Sequence, residues 1–369
     1  MKETIFLHAL RIIPHIGNQA LKSALDFFGS AENIWQATPE ELLRCTALSE
    51  KIRAILLTER TSALLDQAEK ELERYDINLF SCIDPLYPAL LKEIPDAPAV
   101  LYSRGSYDWS RPKPMIALVG SRKYTPYGEQ AAQKLSEDLS RAGVIVVSGL
   151  AFGIDSVAHI GALDGGNDTL AVLGGGIDDK TIAPQTHLNL AKRILSQGAL
   201  VSEYPMETPP TKWSFPQRNR IIAGMTLGTV VIEAAEQSGS LITARLALDY
   251  NREVFAVPGS IFSPVSTGTN ELIKNGAKIV RSVSDILEEL TPYFEATFQV
   301  KSQEKHLPQN LSPEEITLLK ILSHEPLHVD KIIKATTLET AVANSTLVML
   351  EIKGIIRNTG GMNYIRIDS

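Results

Sequence analysis

Met115-Ile116-Ala117-Leu118-Val119-Gly120-Ser121-Arg122 is a five-residue apolar run that stops in two small residues and a cation. A run this short, apolar throughout and closed by a turn, suits a strand buried on both faces. The same figure recurs at Val144–Val147, Thr169–Leu173, Ala199–Val201, Thr229–Ile232 and Val254–Val257. Between the first two runs lies Tyr127–Ala142, where Ala131, Ala132, Leu135 and Leu139 fall on one helical face. Strands alternating with helices predict a Rossmann-like α/β domain over residues 114–290, a parallel sheet with helices on both faces.

On either side of this domain the pattern changes. Residues 1–75 read as a small helical domain of short helices and turns, and Ile12-Ile13-Pro14-His15-Ile16-Gly17 fits either a helix-hairpin-helix-like (SAM-like) unit or an ordinary turn. Residues 76–113 hold Asp84-Pro85-Leu86-Tyr87-Pro88 and Pro95-Asp96-Ala97-Pro98, the composition of an extended connector laid on the central domain. Residues 291–310 are polar and weakly patterned, as a linker is. In 311–369, Ser312-Pro313-Glu314-Glu315 opens a helix with Ser as N-cap, Pro at the first position and Glu at the third. Two further helical segments, around 328–335 and 339–353, and two strands around Gly360-Gly361 complete a winged helix.

A chain of 369 residues exceeds what one core usually serves. It holds no apolar stretch of about 18 residues, and Met1-Lys2-Glu3-Thr4-Ile5-Phe6-Leu7 is no cleavable signal, so a cytoplasmic protein without a membrane partner is expected. Cys45 and Cys82 are far apart and near no histidine cluster, which argues against a disulfide framework or a zinc site and for buried small hydrophobes. The net charge of −7 weighs against nucleic acid unless the cations gather on one surface.

Ligands of an open parallel sheet bind outside the carboxyl ends of its strands. Those ends carry Gly120-Ser121-Arg122-Lys123, Ser148-Gly149 with Phe152-Gly153-Ile154-Asp155, Gly174-Gly175-Gly176, Ser202-Glu203, Glu233 with Ser238-Gly239-Ser240, and Pro258-Gly259-Ser260. Small residues there would let backbone amides and helix N-termini approach an oxyanion. The dinucleotide fingerprint fails because Arg122 stands where its second glycine belongs, and Gly175–Thr181 misses a P-loop because Asp179 replaces the glycine before Lys180. Asp155 and His159 share a helix face and read as an acid/base couple or, with no nucleophile or metal set nearby, as structural. The nucleic-acid signal is Phe215-Pro216-Gln217-Arg218-Asn219-Arg220, with Trp213 upstream: cations for phosphates beside surfaces for stacking bases. Arg220 has a second reading, an internal pair with Glu203 or Glu233. Arg122, Lys123, Lys180 and Arg218 remain for the rim.

These blocks, together with Ala158-His159-Ile160-Gly161-Ala162-Leu163, Ser202-Glu203-Tyr204-Pro205, Ser238–Arg245, Val257-Pro258-Gly259-Ser260 and Gly268-Thr269-Asn270, keep their order over about residues 80–290, and the sequence resembles the DNA-processing protein A (DprA/Smf) family. The resemblance implies single-stranded DNA bound in the rim, a homodimer joined through the Rossmann-like domain, and delivery of RecA onto DNA coated by single-strand-binding protein in natural transformation. It implies no enzymatic turnover and no cofactor or metal. One loop departs from the family: its usual Tyr-Pro pair is Ala183-Pro184 here, followed by neutral Gln185. Lys180 would then supply the phosphate contact, unless Asp178 and Asp179 neutralise it. Two other classes compete. A nucleotide phosphoribohydrolase-like enzyme would use Glu233 over a ribose. A winged-helix transcription regulator would read duplex DNA with the helix around 339–351, which contains no Lys or Arg.

Overall fold

The computed structural model describes residues 2–111, 113–297, 311–322, 327–336, 338–353 and 355–366, in two compact units, Met1–Gln299 and Val300–Ser369. The first is built on one nine-stranded sheet: β1 (Asn78–Ser81), β2 (Val100–Gly105), β3 (Met115–Val119), β4 (Ile145–Ser148), β5 (Thr169–Val172), β6 (Gly198–Ser202), β7 (Gly228–Val231), β8 (Glu253–Ala256) and β9 (Lys278–Ile279). The six runs picked out in the sequence are β3 to β8, each within one residue, and the helix after β3 is Pro126–Arg141. The order is β1-β2-β6-β5-β4-β3-β7-β8-β9, parallel from β6 to β9. The chain steps outward from β3 to β6 and then returns to the other side of β3, so the strand order reverses between β3 and β7.

Residues 76–113 do more than connect. They supply β1 and β2, which extend the sheet antiparallel beside β6. Single-strand patterns could not show this pairing, because its partner lies about a hundred residues away. Alternation in β3 shows why both sheet faces must be covered. Ile116 and Leu118 enter one core with Leu135, Leu139, Ile154 and Phe255, whereas Ala117 and Val119 enter another. That second core also holds Leu10, Ile13, Leu21 and Leu25, so the helices of residues 1–75 share a hydrophobic interior with the sheet. His8 adds a polar tie: its Nδ1 is 3.0 Å from the buried Tyr102 hydroxyl on β2 and its Nε2 is 2.9 Å from Glu71. The turn Ile13–Gly17 joins the helices Lys2–Ile12 and Asn18–Phe28, and Asn18 binds the backbone of Ala97 and Ala99.

The second unit has helices Pro313–Ile321, Val329–Thr336 and Thr340–Ile352 with strands β10 (Leu327–His328), β11 (Ile356–Gly360) and β12 (Asn363–Arg366), ordered β10-β12-β11. This is the winged helix, around Leu318, Ile332, Leu347, Leu350 and Ile356. The capping box of Ser312 and Glu315 forms as the sequence implies. Of the expected linker, residues 291–297 belong to the helix Val283–Thr297, and 298–310 lie outside the described residues. Both cysteines are buried thiols. No helix among the described residues is long and apolar enough to cross a membrane.

The seam between β2 and β6 is tight. Gly105 has φ +132°, and a Cβ there would lie 2.3 Å from the Gly198 carbonyl oxygen. Gly105→Ala is expected to cost about 1–3 kcal/mol, combining backbone strain with displacement of β2 from β6. A urea titration should show a lower midpoint with an unchanged slope.

Candidate nucleic-acid interface

The carboxyl ends of β3 to β8 form the expected rim, but most of its small residues serve the protein itself. A Cβ on Gly149 would strike the Arg218 guanidinium at 2.2 Å, one on Gly175 the Thr208 carbonyl at 2.8 Å, and one on Gly176 the Pro205 carbonyl at 2.9 Å. Gly120 packs on Ile154 and Gly174 against Ser214. Gly153, at φ +86°, lets the helix Ile154–Asp164 start against the first loop, where the Ile154 amide donates to Ser121 O at 3.1 Å. The missing side chains at these glycines are thus required by the protein's own packing. Gly239 alone of the predicted glycines has open space at its Cβ position.

Arg218 requires the larger correction. It was expected to offer a free cation to the rim, yet it is buried and donates inward to the carbonyls of Gly149 and Val172. Asp155 supplies the countercharge and accepts the Gly149 amide at 3.1 Å. Burial pushes the Asp155 carboxyl above its usual range against the pull of Arg218, and burial likewise lowers the guanidinium. His159 is fully buried with Nδ1 2.8 Å from the Thr169 hydroxyl, and burial and Arg218 hold its pKa at about 3. Asp155 and His159 are thus packed within the fold, in keeping with their structural reading. Arg220 pairs with Glu203 at 2.8 Å and Asp96 at 3.3 Å. Both Glu233 oxygens are occupied by Thr125, its amide at 2.9 Å and its hydroxyl at 2.5 Å, at the start of the helix Pro126–Arg141. That pair ties the loop after β3 to the end of β7, on either side of the point where the strand order reverses.

Several of the remaining groups do face outward. Arg122 and Lys123 are exposed, and neither has a carboxylate within ion-pair distance among the described residues. Ser121 Oγ accepts the Lys123 amide at 3.0 Å and fixes this loop. The Arg122 guanidinium lies 6.0 Å from the Phe215 ring centre, next to Trp213, which is 82% exposed. Phe152 is half exposed with its edge against His187. Ser148 is buried and bonded to Leu118 O. Ser238 caps the helix Gly239–Asp249 through Ser240, and Asn219 reaches Gly239 O at 3.4 Å. Lys180 is exposed; its Nζ lies 3.5 Å from Glu207, while its amide donates to Asp178 at 3.1 Å. Gln185 donates to the carbonyls of Asp179 and Lys180, so it braces the loop that carries Lys180. Lys212, exposed beside Trp213, escaped the sequence reading, although a cation adjacent to an aromatic was signal enough.

The family model for DNA recombination-mediator protein A matches residues 78–291, and that for the DprA winged helix domain matches 302–362. The chain belongs to the DNA-processing protein A (DprA/Smf) family. Protein Smf of Synechocystis is 32% identical over 95% of this chain and 96% of its own. The DNA processing protein DprA of Bacillus subtilis is 40% identical over 69% of this chain and 88% of its own. Among solved structures, DprA of Streptococcus pneumoniae superposes with a TM-score of 0.67 at 34% identity, covering 78% of this chain and 99% of that one. DNA processing protein A of Helicobacter pylori, described for its unique single-stranded DNA binding mode, gives 0.53 at 28% identity over 59% of this chain and 97% of that one.

Two measurements separate architecture from contact in this DprA/Smf rim. Arg218→Ala strands Asp155 and two buried carbonyls and should cost about 3–5 kcal/mol. Because His159 ionises far less readily folded than unfolded, its stabilisation is complete above pH 6.5 and is lost as pH falls toward about 3. His8, also lowered by burial, acts in the same sense and Asp155 in the opposite one. His159→Asn should flatten the acid limb of a stability–pH curve by up to about 1.4 kcal/mol per pH unit; an unchanged limb would contradict the assignment.

Proposed function

We propose that this chain binds single-stranded DNA along the rim and loads RecA onto it, displacing single-strand-binding protein in recombination or transformation, without turnover of its own. The observation that carries this reading is the set of exposed Arg122, Lys123 and Lys212 near Phe215 and Trp213, cations without carboxylate partners among the described residues, alongside rings. Phosphates take the cations and bases take the rings, a combination that suits single strands and carries no base code. The single-stranded DNA binding described for the Helicobacter pylori relative supports it. A homodimer through the Rossmann-like unit finds support in Ile261 and Phe262, 83% and 90% exposed after β8, and in the exposed Ile279 on the edge strand β9.

Fluorescence anisotropy with single-stranded and duplex oligonucleotides over a salt series tests the binding. Single strands should bind more tightly, affinity should fall as salt rises, and Arg122→Ala should lose about tenfold while unfolding at the same temperature. Equal affinity for duplex would refute the stacking argument. RecA filament assembly on strands coated with single-strand-binding protein should accelerate when the chain is added, and the chain alone should hydrolyse no ATP.

A further inference from the structure

Glu207 marks the place where the N-terminal helices meet the rim. Its Oε1 accepts a hydrogen bond from the Tyr75 hydroxyl at 2.7 Å, lies 3.5 Å from Lys180 Nζ and 4.0 Å from Arg74 Nη1. Tyr75 and Arg74 end the helix Ser62–Tyr75, whereas Lys180 belongs to the loop after β5. Asp178 holds the Glu207 amide at 2.7 Å, and the backbone there takes φ +58°, so the carboxylate is fixed between the two elements. Next to Lys180, Asp179 is paired with Arg104 at 2.8 Å and with Lys192 at 4.0 Å.

A hydroxyl, an ammonium and a guanidinium converging on one anionic oxygen is also the setting a phosphate oxygen takes. Side chains of Glu207, Arg74 and Lys180 are all more than half exposed, and exposed ion pairs are weak enough to be exchanged. The site is continuous with the rim. Arg122 lies over Phe215, Phe215 borders Gly174, Gly175 backs onto Thr208, and Gly176 backs onto Glu207.

We propose that the DNA track runs on from the rim to the N-terminal helices through a phosphate subsite of Arg74, Tyr75 and Lys180, and that Glu207 occupies this subsite until a strand displaces it. The inference rests on the single-strand reading of the rim. Glu207→Gln in the full chain keeps the side chain's shape and removes the competing charge. With a thymidine oligonucleotide of about 20 nucleotides it should bind roughly threefold tighter than the unaltered chain, the size expected from removing an exposed competing ion pair. With one of about six nucleotides, too short to leave the rim, it should bind equally. Adding Arg74→Ala and Lys180→Ala should abolish the gain. No gain on the long strand, or a gain that survives loss of both cations, overturns the subsite. Arg122→Ala in the same assay separates the two failures. If it loses binding while Glu207→Gln changes nothing, only the subsite falls; if no single strand binds, or Arg122→Ala binds normally, the reading of the rim falls and the subsite with it.

Discussion

The guanidinium of Arg218, buried beneath the strand ends, ties three parts of the fold together. It rises from the helix Ser214–Gly224 and donates to the loop after β4 at Gly149 and to the last residue of β5 at Val172, with Asp155 as its countercharge. Taking both charges out of water is costly and is offset only while every partner stays in place. The geometry therefore permits little drift: Gly149 must lack a side chain, the helix must begin where it does, and Trp213 and Phe215 are presented at a fixed height beside Arg122. The binding surface is shaped from below by a residue that does not itself reach it.

Much of the scaffold was legible because its signals are local. The runs that became β3 to β8 are largely apolar for three to five residues and end in turns, and the capping box at Ser312 is spelled out within four residues. The strand at Asn78–Ser81 and its neighbour at Val100–Gly105 were hidden by the prolines between them, and only pairing with β6 makes them part of the sheet. The site was legible in position more than in role. Gly149 and Arg218 are 69 residues apart, and nothing in either neighbourhood tells that the glycine's missing side chain is the arginine's space. Glu233 was likewise weighed as a ligand group when its partner is Thr125, a helix start 108 residues earlier.

Sorting the cations by burial changes the chemistry assigned to them. Arg218 and Arg220 look alike in sequence, flanking Asn219, but one is spent on backbone carbonyls and the other on Glu203 and Asp96. The charge left for a ligand comes from the first loop and from lysines beside aromatics. In the loop after β5, Gln185 holds two backbone carbonyls while Lys180 points to Glu207.

The placement of charge also bears on speed. With a net charge of −7, the chain as a whole repels a polyanion, and only within about a Debye length of the rim, roughly 8–10 Å at physiological salt, does Arg122's loop dominate the field. At low ionic strength the repulsion reaches outward and slows encounter, while the same condition strengthens each contact once made. Added salt therefore accelerates arrival and hastens departure, so a single strand, on the reading proposed above, would exchange on and off this surface faster as ionic strength rises.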